Sequence, residues 1–269
     1  MKKVYVLASL LAVVAFVLTA CGGGGAQASD VLGAIKQRGY ILVSTDPNYA
    51  PQSFLNKDGK RPDDTKCPED ALTSAEMQGF DVDVAKAIGE SLGVETCFAT
   101  PDWDTITAGT WSNKWDVSVG SMTITPERQQ VLDFSVPYYG TPAVVAVGAD
   151  STYASLDELA GMALCAGAST TYETWLNSGD LGPSIAIFSK APAVTVVNEN
   201  IASGLPVKQL GEPVFTEVLA AAFDKSSSLP TETLRAEVDK LFTAMHSDGR
   251  LTALSKQWFE GIDLTLVNK

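Results

Sequence analysis

Gly120-Ser121-Met122-Thr123-Ile124-Thr125-Pro126-Glu127-Arg128 is the stretch whose reading decides this chain. It follows Trp115-Asp116-Val117-Ser118-Val119, whose alternating apolar and polar residues read as a strand. Thr125-Pro126 then reads as an N-cap followed by proline at the first helical position. That puts Arg128 in the first helical turn, where a cation opposes the helix dipole at a cost of about 0.3–1 kcal/mol. The hydroxyls of Ser121, Thr123 and Thr125 are close by in sequence, so donors converge on one small volume. An anion is the simplest resident, held at a helix N-terminus and forked by a guanidinium. The competing reading is an Arg paired with a neighbouring carboxylate on a solvated face.

Working outward, residues 1–20 read as a signal peptide: Lys2 and Lys3, an apolar run from Val4 to Leu18, then small residues before Cys21. Leu18-Thr19-Ala20-Cys21 resembles a bacterial lipoprotein lipobox, which implies that Cys21 becomes the lipidated first residue of the mature protein and anchors it to the cell membrane from outside. Residues 21–30, with four consecutive glycines, read as a flexible tether. The whole chain of 269 residues has net charge −13, and losing Lys2 and Lys3 makes it more acidic. That balance argues against nucleic acid and anionic lipid surfaces as partners. With Cys21 taken by lipid, export favours a Cys67–Cys97 disulfide, which stabilises by roughly 3 kcal/mol on a chain-entropy estimate and leaves Cys165 unpaired. No spacing resembles a zinc site, no cofactor motif is present, and His246 is the single histidine, read as a helix-end residue.

Val31, Leu32 and Ile35 predict a short helix ending near Arg38-Gly39. Tyr40 to Ser44 predicts a buried strand emptying into Thr45-Asp46-Pro47-Asn48-Tyr49-Ala50-Pro51, a fixed loop at a strand's C-terminal end, where open α/β sheets bind ligands. Tyr49 is then a lid over a pocket or a surface aromatic. Residues 56–76 read as a polar surface insertion holding Cys67. Ala85, Ile88 and Leu92 give a helix closed by Gly93, with Asp81 and Asp83 assigned to its cap and dipole. Leu234, Val238, Leu241 and Met245 form one late helical stripe, and Leu251, Leu254 and Trp258 another.

Gly79-Phe80-Asp81-Val82-Asp83-Val84 resembles the signature of family 3 bacterial extracellular solute-binding proteins. The Asp46-x-x-Tyr49-x-Pro51 loop, Trp103-Asp104, Trp115-Asp116, Ser121 to Arg128, Asp133-Phe134-Ser135-x-Pro137-Tyr138, Gly167 to Leu176, and Asp248-Gly249-Arg250-Leu251 to Trp258-Phe259 fit in the same order. The resemblance implies an α/β, two-lobed periplasmic-binding-protein-like fold of type II with two hinge strands, near Tyr139 to Val147 and Glu212 to Ala220. Lobe one is expected over 31–138 and 213–269, and lobe two over 139–212. It further implies a monomeric, non-enzymatic protein that binds an amino acid and delivers it to an ABC transporter permease. A ligand-sensing lipoprotein, or a dehydratase-type enzyme on the same fold, is the alternative. By resemblance, Arg128 pairs with the ligand carboxylate, helped by Thr123 and the Ser121–Met122 segment. Tyr49 and Trp103 sandwich the side chain, and Asp46 faces the side chain or the ammonium. Ser169-Thr170-Thr171 closes from lobe two. Thr170-x-x-Glu173 has capping-box spacing, opening a helix from Tyr172 to Leu176 after a strand over Ala163 to Ala166.

The resemblance breaks between Ile187 and Gly211, where the family's Gly-Arg-x-Asp-like turn, with its acidic ammonium anchor, is missing. The expectation is that lobe two is truncated by deletion or a reading error, with Glu199 as a substitute anchor. Lobe two otherwise offers only Lys190 and Lys208 as cations, which favours a neutral polar or aromatic ligand.

Overall fold

The computed structural model describes residues 28–178, 186–187 and 206–265. The signal peptide, Cys21, Lys190, Glu199 and most of the departing segment lie outside these described residues.

The main sheet has seven strands. At its centre β1 (Tyr40–Ser44) runs parallel to β6 (Glu95–Ala99) on one side and β7 (Val117–Thr123) on the other. On the far side of β7 lies β12 (Val207–Asp224), antiparallel to it, followed by β8 (Leu132–Phe134), while β4 (Leu72–Thr73) closes the opposite edge. The parallel strands are buried because helices cover both faces. The alternation read at 115–119 therefore gives way to a strand buried along nearly its whole length, which continues through Gly120 to Thr123. The strand read as ending at Val119 runs four residues into the Gly120–Arg128 stretch.

One face packs on α1 (Val31–Arg38), α2 (Phe80–Leu92), α6 (Glu232–Asp248) and α7 (Arg250–Trp258), with Ile35, Phe80, Val84, Ile88, Val238 and Phe242 fully buried. The stripe Leu234, Val238, Leu241 and Met245 is buried as its spacing requires. The other face packs Met122 with Ile106, Trp111, Trp115 and Leu132, around the short helix α3 (Trp103–Thr107). The 56–76 insertion is held from within: Arg61 donates to the carbonyls of Cys67, Ala71 and Pro68, and Cys67 is joined to Cys97.

Two small strands, β2 (Asn48–Tyr49) and β3 (Ser53–Leu55), pair with each other and with β5 (Met77–Gln78). The loop carrying Tyr49 is fixed to α2 by two hydrogen bonds, Phe80 N–H to Pro51 O at 3.0 Å and Asp81 N–H to Gln52 O at 2.8 Å. These satisfy donors that a helix N-terminus otherwise leaves unpaired. Gly79 makes the approach possible: its φ is +132°, and a Cβ there would stand 2.3 Å from Gln52 O.

From the main sheet, β9 (Tyr139–Gly148) and β12 leave together as an antiparallel ladder from Leu219↔Tyr139 to Val207↔Gly148, with an irregularity between Leu210 and Phe215. Beside its far end lie a 3₁₀ turn (Leu156–Leu159), the parallel pair β10 (Ala163–Leu164) and β11 (Ala186–Ile187), and α5 (Thr171–Asn177). The strand expected over Ala163 to Ala166 is only two residues long.

Candidate functional site

Arg128 opens α4 (Arg128–Val131), a single turn. The helix begins two residues later than Thr125-Pro126 predicts, yet Thr125 does cap it: its Oγ1 accepts from Arg128 N–H at 3.2 Å and its carbonyl from Gln129 N–H at 2.9 Å. Arg128 is 9 % exposed. It donates from Nη1 to Thr123 O and from Nη2 to Ser169 O, both at 3.0 Å, and its Cζ lies 5.4 Å from the centre of the Trp103 ring. Trp103 Nε1–H also donates to Ser169 O, at 3.2 Å. Ser169 sits in the left-handed region at φ +59°, a conformation costly for a residue with a Cβ. Two side chains far apart in sequence thus meet on one carbonyl of a third segment.

Ser169 begins the turn that starts α5. Thr170 Oγ1 accepts from Glu173 N–H at 3.2 Å and donates to Gly167 O at 2.6 Å. The Glu173 carboxylate reaches back to Ser169 N–H at 2.8 Å, one residue earlier than a standard capping box. The Thr170 hydroxyl is therefore committed to the cap, not directed at a ligand. Thr171, its neighbour, donates instead to Glu217 Oε1.

Glu217, on β12, is the residue that sequence reasoning missed. The residue is 3 % exposed, and its carboxylate takes hydroxyls from both sides of the crevice: Thr123 Oγ1 at 2.6 Å, Thr171, and Tyr172 at 2.5 Å on Oε2. Tyr49 hydrogen-bonds to Tyr172, and burial, then the charges of Glu217 and Asp81, hold its phenol well above the usual range. Burial pulls Arg128 below the ordinary guanidinium value, and the Glu217 charge is the first influence pulling it back. The available signal was one carboxylate before the apolar run Val218 to Phe223.

The structure gathers Tyr49, Trp103, Thr123, Arg128, Ser169 and Thr171 around this crevice, and leaves four expected contacts facing elsewhere. Met122 is fully buried in the core, because strand alternation turns it away from Thr123. Ser121, at φ +54°, donates its hydroxyl to Asp81 Oδ2 at 2.7 Å and receives Tyr139 OH at 2.6 Å. Asp46 Oδ1 accepts from Asn48 N–H at 2.8 Å, closing its own turn. Thr170 caps α5. The cap role read for Asp81 also fails: Gly79 is the N-cap, and Asp81 is fully buried, accepting from Ser121 and from Tyr138 OH at 2.7 Å. Desolvation pushes its carboxyl up to about 7 despite those two bonds. Asp83 takes Trp258 Nε1–H at 2.9 Å and Lys86 at 3.0 Å. Lys208 donates to Ser151 O at 2.6 Å, and His246 contacts Pro137 O.

A cavity of about 500 Å³ runs along β9, β10 and α5, lined by Val145, Val147, Leu164, Leu176 and Trp175 with Tyr49 and Tyr172 at one side. It contains neither Arg128 nor Glu217, so it is not the anion site.

The antiparallel β12 beside the parallel strands β6, β1 and β7, the paired strands leaving the sheet, and a buried arginine facing a second segment define a two-lobed α/β binding protein of the type II periplasmic class. The chain belongs to the bacterial extracellular solute-binding proteins, family 3, whose model matches residues 41–261. It is 29 % identical over 252 residues to the L-cystine-binding protein TcyJ of Escherichia coli (strain K12), covering 87 % of this chain and 88 % of that one. It is 26 % identical over 286 residues to the L-cystine-binding protein TcyA of Bacillus subtilis (strain 168), covering 96 % and 98 %. Its fold is similar to that of the ancestral amino acid-binding protein AncCDT-1, a precursor of cyclohexadienyl dehydratase (TM-score 0.67, 26 % identity, 86 % of this chain and 99 % of that one).

Proposed function

We propose that this protein captures an amino acid outside the cytoplasm and delivers it to an ABC importer, as a lipid-anchored monomer without enzymatic activity. One observation carries the reading: Arg128 is buried, stacked on Trp103, and directs its guanidinium to two backbone carbonyls rather than to a carboxylate. A buried cation without a counter-charge in contact is costly, and a ligand carboxylate replacing the Ser169 carbonyl would relieve it. The rival reading at the sequence level, an Arg paired with a neighbouring carboxylate, finds no support, since no ion pair involves Arg128 among the described residues.

In this reading residues 31–138 and 213–269 form lobe one and 139–212 lobe two, with β9 and β12 as hinge strands. Ligand bound by Arg128 and Thr123 on one side and by the Ser169–Thr171 turn on the other favours the closed arrangement of the lobes. Tyr49 and Trp103 bracket its side chain. The relatives' names point toward L-cystine, a neutral, polar amino acid at physiological pH. Transport rather than sensing is favoured by the same relatives, one of them a probable amino-acid ABC transporter-binding protein of Haemophilus influenzae. Against catalysis, His246 is engaged at Pro137 O, away from the crevice. A thermal-shift panel of the common L-amino acids and L-cystine tests the reading: at least one stabilises the protein, and stabilisation by none contradicts it.

A further inference from the structure

We propose that the cavity along β9, β10 and α5 is a second binding site, which takes a neutral, largely apolar molecule carrying a hydrogen-bond donor, such as an aromatic ring bearing an N–H or O–H. This site goes beyond the amino-acid reading and does not depend on it. At about 500 Å³ the cavity falls among small-molecule sites, which run from roughly 300 to 1,000 Å³. None of its described lining residues is charged. A zwitterion entering it would lose the hydration of two charges with no charged partner in return, so the occupant differs in kind from the ligand assigned to Arg128.

Gln52 sets the polar requirement. Its backbone is fixed, because its carbonyl accepts from Asp81 N–H at 2.8 Å. The residue lines the cavity and is 5 % exposed, and its side-chain oxygen is buried with no hydrogen-bond partner among the described residues. Buried polar atoms are nearly always paired, and an unpaired one carries a desolvation cost that nothing offsets. A donor on a bound molecule removes that cost once the carboxamide turns toward the cavity. Other polar groups on the walls are already engaged. Tyr172 OH donates to Glu217 Oε2 at 2.5 Å, Tyr49 hydrogen-bonds to Tyr172, and Ser151 Oγ accepts from Tyr153 N–H at 3.2 Å. The Tyr172 and Trp175 rings pack on Phe215, with centres 5.9 Å and 6.2 Å from its own, so they offer fixed aromatic surface to a planar occupant.

The competing account is that the cavity is an apolar void that receives no ligand. The test titrates the protein calorimetrically with indole and with 1-methylindole, which has the same ring without the donor. Titrations are run without and with a saturating amino acid from the panel. Indole should bind at one site, about tenfold or more tightly than 1-methylindole, and should still bind when the amino acid is present. Gln52→Leu should lose that preference by weakening indole while leaving 1-methylindole nearly unchanged. Gln52→Met gives the same readout if Q52L does not fold. Val147→Trp, which narrows the cavity from the β9 wall, should weaken both probes. Absence of indole binding, equal binding of the two probes to wild type, an unchanged preference in Q52L, or unchanged binding in V147W overturns the inference. Complete displacement of indole by the amino acid also overturns it, because the probe then occupies the Arg128 crevice. If no panel amino acid stabilises the protein, the amino-acid reading falls, and the titrations without amino acid still decide this inference.

Discussion

Asp81 shows how one residue's environment can reverse its expected role. At the start of a helix a carboxylate is ordinarily stabilised by the dipole and by free N–H groups. Here the N–H groups of Phe80 and Asp81 are taken by the Pro51 and Gln52 carbonyls, and the side chain turns inward to Ser121 and Tyr138. Burial raises its pKa from 3.8 to about 7. Between those values the folded state keeps a proton that the unfolded chain has lost, so this group's stabilisation is full at low pH and falls as pH rises toward 7. The stability difference between wild type and Asp81→Asn should therefore decline by up to about 1.4 kcal/mol per pH unit across that window. Urea unfolding at a series of pH values measures it, and a flat difference would show that Asp81 stays ionised throughout.

At the scale of elements, what was legible followed periodicity and capping. The spacing of Val31 and Ile35, the stripe from Leu234 to Met245, and the Thr170–Glu173 pair each produced the helix they predict, because those signals are local. The strand at 115–119 was placed well and ended too early, since burial on both faces removes the alternation that marks an end. Met122 was misassigned because residues one apart in a strand point to opposite faces, and Ser121 because its backbone breaks that alternation at φ +54° and its hydroxyl is taken by Asp81 and Tyr139. Glu217 could not be read at all, because its partners Thr123, Thr171 and Tyr172 lie 94, 46 and 45 residues away. The α5 cap offers a test at this scale. Thr170→Ala removes the acceptor for Glu173 N–H and should lower stability by about 1 kcal/mol, seen as a lower melting temperature. Because α5 presents Thr171 and Tyr172 to Glu217, ligand affinity should fall as well; an unchanged melt and affinity would show that the cap contributes nothing.

For the whole molecule, the Cys67–Cys97 bond and the Arg61 cluster bind the 56–76 insertion to the main sheet. The β9–β12 ladder gives the only paired-strand connection between that sheet and the β10–α5 segment among the described residues. A hinge of this kind couples ligand capture to a change in shape that a permease can recognise. Lipid at Cys21 would hold the protein near that permease. Cys21→Ala expressed in a bacterial host should move the protein from the membrane fraction to the soluble extracytoplasmic fraction without changing ligand affinity. Retention in the membrane would remove the lipid anchor from the account.

The central claim is that a ligand carboxylate sits on Arg128. Isothermal titration of the tightest-binding panel amino acid into wild type and Arg128→Ala tests it most directly, with circular dichroism confirming that both are folded. Losing a buried, hydrogen-bonded charge from the site should weaken binding by about a hundredfold or more. Binding of equal strength to the two proteins would mean that Arg128 is structural and that the amino acid is held elsewhere.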